Sequence, residues 1–352
     1  MTLRIAIHQR SGEKTHSGSW SHVWIEICRN RGLPYEVFDC FSGSAIDKLR
    51  DFDVLLFHFG NYLRTDMRFA RAVLYSAKAM GLSVFPDFEE AWHFDDKIAQ
   101  FYLLQAVGAP IPAWSVSYSL AESERQIDGI SQWPGVGKLR CGSGSHNVRL
   151  LENAGETRRY ARRMFGRGYD PSPRLLFKTV SNLRSSKTME DVWARLQRAP
   201  EFFRTRRHAK EFDRERGYLF LQEFVPNPGY DIKVAVVGEK VSFFCRHVRK
   251  NDFRASGGAD FFYDKDLVPE DAVRSALETS RKLGLHCMGF DYVVDERTGS
   301  GVIVEMSYGF SYRAILGAGG YWDSDLNWLD EPLNVPEEIL DALLARRLDQ
   351  QA

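Results

Sequence analysis

From residue 3 to about 86, short β-branched or aromatic runs alternate with longer helical ones, and this rhythm restricts the fold more than any other feature of the chain. LRIAI, PYEVFDC, VLLFHF and LSVFP read as strands, and SWSHVWIEICRNRG, SAIDKLRDF and DMRFARAVLYSAKAMG as the helices between them. Parallel neighbours need a long crossover, so strands spaced by helices predict an open parallel α/β sheet. Ligands of such sheets gather beyond the carboxyl ends of the strands. At 352 residues the chain is longer than one core normally serves, and two or three domains are expected.

The loop after the first strand, QRSGEKTHSGSWS, runs into a helix. It is not a G-x-x-x-x-G-K-[ST] phosphate loop, because Ile7 stands where the first glycine belongs. Gly18, Ser19 and Ser21 read either as an N-cap cluster or as donors to an anion at the helix start. Residues 95–108, DDKIAQFYLLQAVG, form an amphipathic helix stopped by Gly108, Pro110 and Pro112. Two short runs, GVGKLR and HNVRLL, then flank the turn CGSGS. Lys138, with Gly142, Ser143 and Gly144 behind it, suits either an ordinary tight turn or a hairpin whose N–H groups approach phosphates.

Residues 149–217 are polar and helical, with 18 Lys and Arg against 9 Asp and Glu. They read as a solvated or dimer-forming face, or as an insertion whose arginines meet a phosphate-bearing acceptor. The whole chain balances 47 basic against 47 acidic residues, so its field favours neither nucleic acid nor a membrane. The five cysteines lie far apart with no C-x-x-C, which fits reduced thiols in a cytoplasmic protein and argues against zinc. Signal-peptide and membrane-span patterns are not evident.

Three further strands follow, YLFLQEFV, DIKVAVVG and KVSFFCRHV, then the loop NDFRASGGAD and the helix PEDAVRSALETSRKLG. The last two apolar runs, GFDYVV and GVIVEMS, are joined by DERTGSG and carry Asp291 and Glu305. A hairpin of this length brings the two carboxylates side by side, where they repel unless a cation or proton lies between them. A hard divalent ion that also takes phosphate oxygens meets that need; a solvated hairpin edge is the plainer alternative. The strand in LFLQEFVPNPGYD stops in a way that exposes backbone groups to an adenine edge, with Asp231 placed for ribose hydroxyls.

In order, DK...LL..VGAP.P, GKLRCGSGSHNVRLL, LQEFVPNPGYDIKVAVVG, RHVRKNDFRASGG, LGL...GFDYVV and VIVEMSYGFS resemble the motif series of the ATP-grasp superfamily over residues 95–313. Within it the chain is most similar to ligases like glutathione synthetase, D-alanine:D-alanine ligase and the ribosomal-protein glutamate ligases. The resemblance implies an α/β (α+β ATP-grasp) fold: an N-terminal open parallel α/β domain over 1–94, a small ATP-grasp subdomain over 95–217 and a C-terminal one over 218–352. It implies ATP and Mg2+ as cofactors. Lys97 and Lys138 match lysines that hold the phosphates, assisted by Gly142 and Ser143. Gln222, Glu223 and the backbone near Val225 match the adenine hinge, and Asp231 the ribose acid. Arg254, helped by Arg246 and Lys233, matches the basic group on the transferred phosphoryl. Asp291, Glu305 and Ser307 match the metal ligands, although the family usually has Asn at the third position and glycines where Ser145 and Asn147 stand here.

The implied reaction joins a small carboxylate to an amine through an acyl phosphate and releases ADP and phosphate. An ATP-grasp phosphotransferase and a non-catalytic nucleotide-binding relative are the competing readings. Ser19, Ser21, His58 and Arg313 are candidate substrate contacts, and a homodimer is the assembly considered. SGSWSHVW, VRKNDFRASG and GYWDSDLNW further resemble ATP-grasp proteins of bacterial surface polysaccharide synthesis, which implies an amino acid joined to an amino sugar.

Overall fold

The parallel alternation expected of the first 86 residues is present in the computed structural model, which describes residues 3–10, 19–61, 63–142, 147–171, 213–248 and 261–351. Strands β1 (Ile5–His8), β2 (Tyr35–Phe38), β3 (Val54–Leu56) and β4 (Ser83–Phe85) pair in the order β2-β1-β3-β4, all parallel. Helices α1 (Trp20–Asn30), α2 (Ala45–Leu49) and α3 (Arg64–Ala79) make the crossovers. Ile5, Ala6, Ile7 and Val54 to Leu56 are fully buried, as a parallel sheet covered on both faces requires. Ser19 is the N-cap of α1, its side chain accepting from His22 N at 3.2 Å.

The chain divides into two units, residues 1–60, 65–112 and 225–352, and residues 61–64 and 113–224. After α4 (Phe88–Ala91) and α5 (Lys97–Ala106), the first unit continues with β9 (Tyr230–Val237), β10 (Lys240–His247), β11 (Phe261–Phe262), α8 (Glu270–Leu283), β12 (Cys287–Val294), β13 (Gly301–Ser307), α9 (Tyr312–Leu316), β14 (Tyr321–Trp322), β15 (Trp328–Leu329) and α10 (Val335–Gln351). The strands form an antiparallel sheet in the order β13-β12-β9-β10-β14-β15, with β11 on β10. One face is apolar: Ile232, Val234, Phe243, Cys245, Phe290 and Tyr292 are buried there. Helix α8 packs on it, Ser275 Oγ meeting Tyr292 Oη at 2.9 Å. The opposite face carries the charged residues described below, following the period-two alternation of a strand.

Both sheets of this unit share one continuous core. Helix α10, which the sequence reading did not foresee, returns to the parallel sheet: Trp24 Nε1 donates to Pro336 O at 2.9 Å, Arg347 to Gly81 O at 2.8 Å, and Arg31 pairs with Glu337 and Asp341. Buried Glu90 accepts from the backbone N–H groups of His286 (2.8 Å) and Cys287 (2.7 Å) through Oε1, and from Asp87 N (2.8 Å) through Oε2, tying α4 to the start of β12.

The second unit contains β5 (Trp114–Ser117), α6 (Leu120–Asp128), β6 (Gly135–Lys138), β7 (Val148–Leu151), α7 (Ala154–Met164) and β8 (Leu219–Glu223), its sheet ordered β5-β8-β6-β7 and antiparallel. Helix α6 meets one face at Ser117, whose hydroxyl is 2.6 Å from that of Ser123. Helix α7 covers the same face at Gly137, where a Cβ would fall 2.9 Å from Leu151 and 3.1 Å from Tyr160. Lys138 and Gln222 belong to the other face.

Burial of imidazoles makes stability depend on pH. Desolvation lowers His8, His58, His93 and His286 from 6.5 to about 4. His8 Nδ1 also accepts from Cys40 N at 3.0 Å, which only the neutral ring allows. Between pH 6.5 and 4 the unfolded chain therefore binds protons that the folded chain refuses, and stability falls as pH falls. Burial raises Glu90 to about 7 and Asp231 to about 6, and these act in the opposite sense. At pH 5 the four imidazoles outnumber the two raised carboxyls, so a net loss of stability relative to pH 7.5 is expected. Urea unfolding at the two pH values measures it; equal or greater stability at pH 5 would contradict this burial pattern.

Candidate functional site

Strand register assembles the charged face of the large sheet. Asp291 of β12 lies opposite Glu305 of β13 on one side and Lys233 of β9 on the other, while Asp231 of β9 lies opposite Arg246 of β10. A bulge between Asp291 and Tyr292 shifts the β12–β13 register, with Val304 the extra residue. Helix α5 adds Lys97 at its first turn, behind the N-cap Asp96, whose Oδ1 accepts from Ala99 N at 3.1 Å.

These groups form two sets of ion pairs. Arg246 grips Asp231 with two bonds of 2.7 Å and donates to Asp291 Oδ1 at 2.9 Å. Lys233 Nζ reaches the same Oδ1 at 2.7 Å, and Lys97 Nζ lies 3.2 Å from Glu305 Oε1. Lys97 is 1 % exposed, whereas the Glu305 side chain is 26 % exposed. Burial pushes the Asp291 carboxyl up, but Lys233 and Arg246 outweigh it and hold the pKa below the usual carboxylate range. In Asp231 burial dominates the attraction of Arg246, Asp291 adds repulsion, and the pKa rises to about 6. Burial works against the charge on Arg246, yet Asp291 and Asp231 outweigh it and raise its pKa.

Gly289, not singled out in the sequence, explains how the Lys233 side chain fits. A Cβ there would lie 2.9 Å from Phe310 Cδ1 and 3.0 Å from Lys233 Cδ. The stem of the lysine therefore lies over a position that tolerates no side chain without a shift.

The donors suit a hard cation held jointly with phosphate. Asp291, Glu305 and Ser307 supply oxygens only, and Arg246 and Lys233 both meet Asp291 at Oδ1. Ser307 Oγ accepts from Gly309 N at 3.1 Å and turns the chain back after β13. Among the described residues three carboxylates (Asp231, Asp291, Glu305) face three cations (Lys97, Lys233, Arg246), so a divalent ion arriving alone would add uncompensated positive charge. An ion carried with polyphosphate brings its own counter-charge and further oxygen ligands. Among the described residues there is no group of three or more His, Cys, Asp or Glu that could hold a metal by itself.

In the second unit Val136 lies opposite Gln222, so Lys138, two residues on, shares the Gln222 face. Both are nearly buried, and Gln222 Nε2 has no hydrogen-bond partner in the described structure. Glu223 N donates to Ala113 O at 2.7 Å at the strand end. Gly142 has φ +107°, and a Cβ there would come within 2.0 Å of Asn147 Nδ2, which donates to Cys141 O at 2.7 Å and Pro171 O at 3.1 Å. This turn therefore needs glycine for its own closure. Ser143, Ser145 and Arg254 lie outside the described residues, as does most of the basic section 149–217.

The remaining expected substrate residues lie in the first unit. Ser21 Oγ donates to His8 O at 2.8 Å, in addition to the capping role of Ser19. His58 stacks on Trp20, ring centres 5.1 Å apart, and its Nε2 is buried without a partner in the described structure. Arg313 Nε donates to Tyr312 Oη at 3.2 Å, and Tyr312 in turn meets Trp20 edge-on at 5.5 Å. Val225 is buried just beyond β8. No helix of the described residues is long and apolar enough to cross a membrane.

No protein-family model matches the chain, and no curated protein matches it in sequence. Its fold is similar to three solved structures over nearly all of each chain. One is a RimK domain ATP-grasp protein from Sphaerobacter thermophilus, at 16 % identity and TM-score 0.53, covering 97 % of this chain and 99 % of that one. Another is D-alanine–D-alanine ligase from Bacillus anthracis complexed with ATP, at 13 % identity and TM-score 0.56, covering 99 % of each. The third is the ATP-grasp ligase PsnB complexed with a minimal precursor, at 15 % identity and TM-score 0.54, covering 98 % of this chain and all of that one. The chain has the ATP-grasp fold.

Proposed function

We propose that this chain is an ATP-dependent carboxylate–amine ligase. The observation that carries the reading is the pairing of Asp291 with Glu305 on a sheet face that also presents Lys97, Lys233 and Arg246. In the family's terms the chain then has three parts, 1–94, 95–217 and 218–352. Lys97 and Lys138 hold phosphates with the turn at Gly142 and Ser143, while Gln222, Glu223 and the backbone near Val225 take the adenine. The unpartnered Nε2 of Gln222 supports the last assignment. Asp231 is the acid assigned to ribose; each of its oxygens accepts one bond from Arg246, and ribose hydroxyls would take the remaining lone pairs.

Asp291, Glu305 and Ser307 supply the oxygens for magnesium, which when bound neutralises phosphate charge. A substrate carboxylate oxygen attacks the γ-phosphorus and the bond to ADP breaks. An amine then attacks the carbonyl carbon of the acyl phosphate, phosphate leaves, and the nitrogen loses its proton. Arg246, Lys233 and Arg254 stabilise the charge on the transferred group, so the chain needs no nucleophilic side chain of its own. Ser19, Ser21, His58 and Arg313 stand as the substrate contacts. An amino acid as the carboxylate and an amino sugar as the amine rest on the three segments resembling polysaccharide-synthesis proteins, of which VRKNDFRASG lies almost wholly outside the described residues.

Titration with a non-hydrolysable ATP analogue in magnesium tests the nucleotide half of this reading. Saturable binding is expected, weakened about 10- to 100-fold in Lys138→Ala by loss of a charged contact. A wild-type chain that binds no analogue would remove the reading.

A further inference from the structure

Among the described residues strand β13 is the edge of its sheet, with β12 as its strand neighbour. Its outward N–H groups need partners from elsewhere, since an unpaired buried donor is costly. Ile303 N donates to Pro110 O at 2.7 Å. Met306 N, between Glu305 and Ser307, donates to the side chain of Gln100 at 3.3 Å. Gln100 is 1 % exposed, and its other terminal atom, Nε2, donates to His93 O at 3.1 Å, so the amide is held at both ends. It lies three residues after Lys97 on α5, on the same helix face. The helix that brings Lys97 to Glu305 is thus docked onto the strand at the very next peptide.

The other side of the turn is held by Tyr308. Its hydroxyl accepts from Phe59 N at 3.2 Å and donates to Phe59 O, so one side chain satisfies both backbone groups of a residue just past β3. The ring is fully buried, packed against Phe94 at 4.7 Å and Phe59 at 5.4 Å. Met306 and Tyr308 are fully buried while Glu305 and Ser307 remain partly accessible, so the two anchors grip the residues that alternate with the candidate ligands.

We propose that Gln100 and Tyr308 are a pair of positioning residues that fix Glu305 and Ser307 for a metal–polyphosphate ligand, one from helix α5 and the other from the parallel sheet. The proposal rests on the nucleotide reading above. Neither residue touches the ligand; they act through the backbone of Met306 and through the turn after Ser307. Groups behind metal ligands are commonly worth 10- to 100-fold in affinity.

The test compares wild type, Gln100→Leu and Tyr308→Phe by amide hydrogen exchange without nucleotide, and by the Mg2+ concentration that half-saturates binding of a fluorescent non-hydrolysable ATP analogue. Faster exchange is expected at Met306 in Gln100→Leu and at Phe59 in Tyr308→Phe. The half-saturating Mg2+ concentration should rise about tenfold or more in each, a shift that loss of folded protein would produce only if about a tenth or less of the molecules stayed folded. Tyr308→Phe removes a single oxygen and keeps the ring, so it reports even where Gln100→Leu fails to fold. An unchanged Mg2+ requirement in folded variants overturns the proposal. A wild type that binds no analogue sinks the nucleotide reading instead, and the anchoring is then judged on exchange alone: faster exchange at the two amides upholds it, and unchanged protection overturns it.

Discussion

Replacing Arg246 with Met is expected to destabilise the folded chain by about 3–5 kcal/mol, the usual cost of removing one partner from a buried ion pair. Arg246 makes three bonds of 2.7 to 2.9 Å to Asp231 and Asp291, both at least nine-tenths buried. Without the guanidinium, two carboxylates on neighbouring strands face each other in an apolar setting, and Lys233 compensates only Asp291. Adding Asp231→Asn to Arg246→Met removes one of the stranded charges and should recover a substantial part of the loss. The four chains of this double-mutant cycle, unfolded in urea, give the coupling directly. A loss below about 1 kcal/mol for Arg246→Met would mean that water reaches these carboxylates and that the pairs behave as surface ones.

The second large effect falls on function. Glu305→Ala should reduce nucleotide turnover by at least about 100-fold, since groups merely supporting a metal ligand already cost 10- to 100-fold. The substitution also takes a carboxylate away from Lys97, which is 1 % exposed, so turnover is expressed per folded molecule. The balance of three carboxylates against three cations adds a sharper expectation. Mn2+ monitored by its paramagnetic resonance should remain free in the presence of wild-type protein alone and become bound once an ATP analogue is added; in Glu305→Ala it should stay largely free in both cases. Turnover in Glu305→Ala at the wild-type rate would remove Glu305 from the metal site, and tight Mn2+ binding without nucleotide would show that the ion pairs do not balance the cluster.

Local pattern carried much of this arrangement into the sequence. The β-branched runs and intervening helices of the first 86 residues led directly to the parallel sheet, because period and crossover length are local properties. The meeting of Asp291 with Glu305 followed from hairpin length, although the bulge at Val304 that makes the register work leaves no residue signature. The Asp231–Arg246 pair was equally accessible and was missed: the two-residue turn Gly238–Glu239 sets Val237 opposite Lys240, and counting back in that register places Asp231 opposite Arg246. The contacts of Lys97 with Glu305, Gln100 with Met306 and Tyr308 with Phe59 join residues some 200 or more positions apart. No spacing rule reaches so far. A glutamine within an amphipathic helix and a tyrosine in a turn look ordinary until an edge strand or a neighbouring loop supplies the unpaired backbone groups they satisfy.

The most direct measurement is analysis of the nucleotide product with magnesium, ATP, a pool of amino acids and a pool of amines that includes nucleotide-linked amino sugars, each pool supplied alone and then together. ADP and phosphate formed only when both pools are present is the outcome expected of a carboxylate–amine ligase working through an acyl phosphate. AMP and pyrophosphate as products, or ADP formed without release of phosphate, would contradict it.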